Sequence, residues 1–92
     1  MHTSVADVRA TLGRMMRADK EQLVRDLCGE TFQDDHQLFR FLRVREDGMV
    51  GLCWMQSENE PVSSCTLDAA VTIILTQTPD HPLVQALLWK DA

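Results

Sequence analysis

The chain has no tyrosine, and its only aromatic residues are Phe32, Phe39, Phe41, Trp54 and Trp89 among 92 positions. Its core must be built chiefly from Leu, Val, Ile and Met, which suits packed helices. Cysteine is scarce and odd in number: Cys28, Cys53 and Cys65 have no close neighbour of their own kind. That spacing argues against a disulfide framework and against zinc held by Cys-x-x-Cys pairs. Reduced thiols in a cytoplasm are the expectation. No apolar run approaches the roughly 18 residues of a membrane span. Asp7, Arg9 and Arg14 fall where a signal peptide would need its apolar centre, so none is expected. There is no phosphate-binding glycine loop, no Gly-x-Gly-x-x-Gly and no His-Glu-x-x-His.

Positive charge is nearly missing from the second half. Lys90 stands there against Glu58, Glu60, Asp68, Asp80 and Asp91, while residues 1–47 hold every other basic side chain. The net charge is −5. A chain of that sign does not draw nucleic acid through its overall field, although its first half can carry a local basic face.

The length predicts a single domain over residues 1–92. A domain of this size buries only about 60–65% of its unfolded surface, so association with a second molecule is a common remedy. Apolar periodicity predicts a mainly α fold, four to five short helices with one short β-strand or hairpin near residues 44–56. Ser4 caps helix 1, predicted over Val5–Arg17, on which Val5, Val8, Leu12, Met15 and Met16 recur at helical spacing. Asp19 caps helix 2 at Lys20–Cys28, with Gly29 as its left-handed terminator.

Asp34 and Asp35 read as the N-cap of helix 3 at Asp35–Val44, whose apolar side is Leu38, Phe39, Phe41 and Leu42. A strand would also set Phe39 and Phe41 on one face, but Arg43 interrupts that alternation. Glu46-Asp47-Gly48 is a turn signal, and Met49–Met55 reads as a buried strand, half of a hairpin with Val44 and its neighbours. Gln56–Ser64 reads as a polar loop containing Pro61. Ser64 or Thr66 caps a further helix carrying Leu67, Ala70, Val71, Ile74 and Leu75, with a strand alternative open for residues 71–76. Thr78-Pro79-Asp80 starts the last helix, with proline at its first position and Leu83, Val84, Leu87 and Leu88 on its apolar face.

Candidate chemistry is sparse. Asp34-Asp35-His36 has no second cluster to complete a metal or acid–base site. His2, His36 and His81 are scattered. Cys65, near a predicted helix start, is a candidate for a lowered thiol pKa, and Cys65 or Cys28 would be the nucleophile of a cysteine enzyme. No catalytic residue, cofactor or metal is expected, and an enzyme is not the favoured reading.

Arg40, Arg43 and Arg45 are the most specific feature. They follow two predicted helices and precede a glycine turn and an apolar strand. Over Lys20–Met55, about half the chain, this layout resembles a winged helix-turn-helix DNA-binding domain. Phe41-Leu42-Arg43-Val44-Arg45-Glu46-Asp47-Gly48-Met49-Val50 looks like the family's passage from recognition helix into wing. The resemblance implies that Arg40, Arg43 and Arg45 face phosphates or base edges and that the C-terminal helices form a dimer interface.

The remaining signal is apolar. Met15, Met16, Met49, Trp54, Met55 and Trp89 exceed what so small a core needs. Trp54, Met55, Leu88 and Trp89 are the candidate partner-binding residues, with the two tryptophans as anchors. The leading expectation is a small non-catalytic regulator binding a protein partner, itself or both, in the manner of a bacterial or phage inhibitor, antiactivator or immunity protein. The winged-helix transcriptional regulator is the alternative.

Overall fold

A computed structural model describes residues 4–55 and 62–89. Four helices and four strands follow one another as α1 (Val5–Arg14), α2 (Arg17–Asp26), β1 (Phe32–Asp34), β2 (Gln37–Val44), β3 (Val50–Trp54), β4 (Val62–Cys65), α3 (Leu67–Gln77) and α4 (Pro82–Leu88). The strands form an antiparallel meander in the order β1-β2-β3-β4. This corrects the mainly α expectation: the segment predicted as helix 3 is β2, and the supposed polar loop ends in β4. With no helix at Asp35–Val44, the structural half of the winged-helix resemblance falls. There is no recognition helix to enter a groove.

The reason lies in three phenylalanines. Along β2, Phe39 and Phe41 are buried while Leu38, Arg40 and Leu42 are exposed, the period-two pattern of a half-buried strand. Phe32 of β1 lies opposite Phe39, and its ring centroid is 5.9 Å from Phe39 and 5.2 Å from Phe41. Phe39 and Phe41 meet edge to face at 5.5 Å, and Trp54 of β3 packs on Phe39 at 5.2 Å. A helix would scatter these rings; the sheet gathers them.

Arg43 does not break the strand, because β2 carries a bulge. Phe41 pairs with Leu52 and Arg43 with Gly51, so Leu42 and Arg43 together oppose a single residue. The extra residue turns Arg43 to the outer face and returns Val44 to the inner face opposite Val50.

The hairpin turns are short. Asp34 pairs with Gln37 across a two-residue turn at Asp35 (φ 46°) and His36 (φ 72°), where a helix cap was expected. Both central residues have positive φ, as the tight turns matching strand twist require. Glu46-Asp47-Gly48 turns the chain as expected. The Arg45 N–H donates to Met49 O at 2.7 Å, and Gly48 N–H donates to Arg45 O at 3.0 Å. Gly48 has φ +85°, and a Cβ there would lie 2.7 Å from Arg17 Nη2.

Helix bounds also shift. Ser4 and Asp7 form the expected reciprocal cap of α1, but α1 stops at Arg14 and α2 starts at Arg17. Met15 and Met16 are extended between them. Asp19 works from inside α2 rather than ahead of it: its Oδ2 accepts the Met16 N–H at 3.2 Å. Thr66, not Ser64, caps α3 by accepting the Ala69 N–H at 3.1 Å, and residues 71–76 are helical. Thr78-Pro79-Asp80 is a turn, and α4 begins three residues later with His81 as cap and Pro82 first.

Val8, Leu23, Val24 and Leu27 from α1, α2 and the residue after it, and Ala70, Val71, Ile74, Leu75, Val84 and Leu88 from α3 and α4, join Phe32, Phe39, Phe41, Val50 and Leu52 in one buried cluster. The helices therefore lie over one face of the sheet. No helix among the described residues is long and apolar enough to cross a membrane.

This arrangement separates neighbours in sequence by energy. Phe41→Ala is expected to lower unfolding free energy by about 3–5 kcal/mol, whereas Leu42→Thr stays within about 0.5 kcal/mol; urea denaturation of both variants checks it.

Candidate functional site

With the helices on the inner face, the outer face of the sheet carries no second layer among the described residues. Strand register sets its composition. Leu38 shares a row with Gln33, and Met55 joins it through a bond from the Met55 N–H to Leu38 O at 2.8 Å. The next row is Arg40, Cys53 and Val62, and the next Arg43, Gly51 and Ser64, with bulged Leu42 beside them. An open antiparallel face is ordinarily polar. This one keeps Leu38 44%, Leu42 42%, Met55 44% and Val62 68% exposed. The other exposed large hydrophobics, Val5, Met16 and Leu83, sit singly at helix starts.

Among the described residues, charge on this face has one sign. The register puts Arg40 and Arg43 on it and no acid, and both arginines are exposed with no acidic partner among the described residues. Arg45, at the end of β2, is held by Asp47 at 2.9 Å. Between the basic and apolar groups lies a cleft of about 510 Å³, walled by Leu42, Arg43, Arg45, Val62 and Ser64 over Gly51.

The sequence-predicted contact residues fare differently from one another. Leu88 is 7% exposed, part of the core. Trp54 points inward, half-buried against Phe39, its Nε1–H donating to Ser63 Oγ at 3.3 Å. Trp89 is half-buried at the end of α4, and its buried indole N–H finds no acceptor among the described residues. Met55 alone of the four is on the outer face and exposed. Sequence reading missed Leu38, Leu42 and Val62 because it assigned the first two to a helix core and the last to a loop.

On β1, the Gln77 side-chain amide takes the place of a neighbouring strand: Gln33 N–H donates to Gln77 Oε1 at 2.9 Å and Gln77 Nε2 donates to Gln33 O at 2.6 Å. That is a guarded edge.

Catalytic candidates do not converge. Among the described residues no three or more His, Cys, Asp or Glu side chains are grouped to hold a metal. Asp35 and His36 occupy a hairpin turn; His2 lies outside the described residues. Cys65 precedes the α3 cap, yet burial pushes its thiol pKa up rather than down. Burial likewise raises Cys28, outweighing the opposing pull of Arg25. No family model matches the chain, and no curated protein or solved structure is significantly similar to it.

The raised thiols give a pH prediction. A raised pKa keeps the thiol protonated, so Cys28 and Cys65 are expected to alkylate more slowly than glutathione at pH 8 and to speed up as pH climbs beyond the ordinary thiol range of about 8.5. Mass spectrometry of iodoacetamide-treated protein across pH 7–10 reads this. Faster modification of either residue than of glutathione would contradict it.

Proposed function

We propose that this chain is a non-catalytic binding protein that docks another protein on the outer face of its sheet. The observation that carries the reading is the group Leu38, Leu42, Met55 and Val62, exposed together on a face that no helix among the described residues covers. Exposed apolar groups gathered on one surface mark contact sites, whereas scattered ones do not. Arg40 and Arg43 select the partner's sign. No acid among the described residues shares that face with them, so an acidic protein surface complements them. A second copy of this chain packed face to face about a two-fold axis would set arginines against arginines, which disfavours it.

A nucleic-acid reading has less support. Phe39, Phe41 and Trp54 turn inward, so the outer face offers no aromatic platform for bases. The net charge of −5 repels a polyanion beyond the immediate patch.

The test places a photo-crosslinking residue at position 38 or 62, and a control at position 22 on α2, in cells that express the protein. Adducts with an acidic protein at 38 and 62 but not at 22, lost when Arg40 and Arg43 are both changed to Glu, are the expected result. Equal adducts from all three positions would refute the docking face. Sedimentation showing a stable dimer that Val62→Asp dissociates would replace the foreign partner with a second copy. A shift of mixed DNA at about 50 mM salt, lost in Arg40→Ala, would restore the nucleic-acid alternative.

A further inference from the structure

Gly51 is a glycine without an internal reason. Its backbone does not need positive φ, since its φ lies outside that range. Packing does not need it either. A Cβ built there would meet only Arg43 O, at 3.9 Å, an ordinary contact. In mid-strand, glycine forfeits roughly 0.5–1 kcal/mol relative to alanine, and its presence there is a mark of close approach by a ligand or another chain. Here the missing side chain points to the outer face and floors the cleft walled by Leu42, Val62 and Ser64, with Arg43 opposite.

The bulge in β2 works with the glycine. By setting Leu42 and Arg43 side by side against one residue, it puts an apolar and a cationic side chain at the same level of the cleft. Val62, 68% exposed, forms the other apolar wall. Walls of this chemistry suit an apolar side chain. The Arg43 guanidinium at the rim, with no acidic partner among the described residues, suits a carboxylate next to it, which it can hold with two parallel hydrogen bonds. Arg45, already paired with Asp47, contributes the end of the cleft rather than a free charge.

We infer that the Gly51 cleft is the recognition pocket of the docking face, taking one large aliphatic or aromatic side chain of an acidic partner segment while Arg43 binds a carboxylate flanking that side chain. The inference rests on the docking reading above and names the partner's chemistry. Leu38 and Met55, which share a row two rows away, extend the contact along the segment, so the pocket sets which residue anchors and the rows beyond it add area.

The test needs no known partner. A phage-displayed library of random 12-residue peptides is selected on the full chain, and the enriched peptides are synthesised and titrated by fluorescence anisotropy. Enriched sequences are expected to carry Leu, Ile, Phe or Trp flanked by Asp or Glu. Gly51→Val fills the floor with a residue that strands favour. It should keep or raise the melting temperature while weakening these peptides at least about tenfold, and Arg43→Glu should weaken them similarly. Peptides without acidic enrichment, or bound equally by the folded Gly51→Val protein, would overturn the pocket. If such peptides nonetheless lose binding in Val62→Asp, the docking face stands and only the pocket fails. Peptides indifferent to both substitutions, or a library with no enriched sequence, sink both.

Discussion

Everything outward-facing in this molecule follows from the closure of Phe32, Phe39 and Phe41 on one another. With their centroids 5.2–5.9 Å apart, the rings pack together across the two antiparallel strands that residues 32–44 form in the observed register. Aromatic pairs of this kind add about 0.5–1.5 kcal/mol each beyond the area they bury. The cluster fixes which side of β2 is inside. Once Phe39 and Phe41 go in, Leu38 and Arg40 must go out, since a strand alternates without exception until a bulge intervenes. The exposed leucines are therefore a consequence of burying the phenylalanines, not a failure of the core to absorb them.

The bulge then decides the chemistry of the outer face. Without it, Arg43 would follow Phe39 and Phe41 inward and leave a charge in the aromatic layer, at a cost no partner there offsets. With it, Arg43 emerges opposite Gly51, and Val44 is available to pack beside Val50. One inserted residue thus rescues the core and sets a second cation, Arg43, beside Arg40 on the outer face.

The helical half was legible in the sequence because its signals are local. The Ser4 cap, the Leu23–Val24–Leu27 stripe and the Ala70–Val71–Ile74–Leu75 stripe are each complete within a dozen residues, and each helix is present. The Glu46-Asp47-Gly48 turn and the strand after it were legible for the same reason. The first hairpin was not. Leu38, Phe39, Phe41 and Leu42 satisfy a helical stripe as well as a strand, and the deciding contact is with Phe32 and with Trp54, set by tertiary structure rather than spacing. Asp35 and His36 carry no glycine to announce their positive φ, so the turn looked like a helix cap. The candidate site inherits that blindness. Arg40 and Arg43 stood out as a basic group, but only the strand register shows them on the same face as Leu42 and Val62. The tryptophans, expected as anchors on grounds of residue type, are half-buried against the core.

The combination of an acidic chain with a locally basic face has a physical logic for choosing among partners. At physiological ionic strength charges more than about 8 Å apart are largely screened when exposed. Arg40 and Arg43 lie three residues apart on β2, roughly 10 Å along an extended strand, so a short segment laid on the face meets each within screening range. The chain's net negative charge weighs less on such a segment than on an extended polyanion that must run past the patch. A few carboxylates spaced to match the two arginines then gain attraction without the repulsion that a long phosphate backbone incurs. The exposed apolar rows add affinity that a uniformly charged polymer could not use. On the proposed docking reading, selectivity follows from the face being small, mixed and set in a field of the opposite sign.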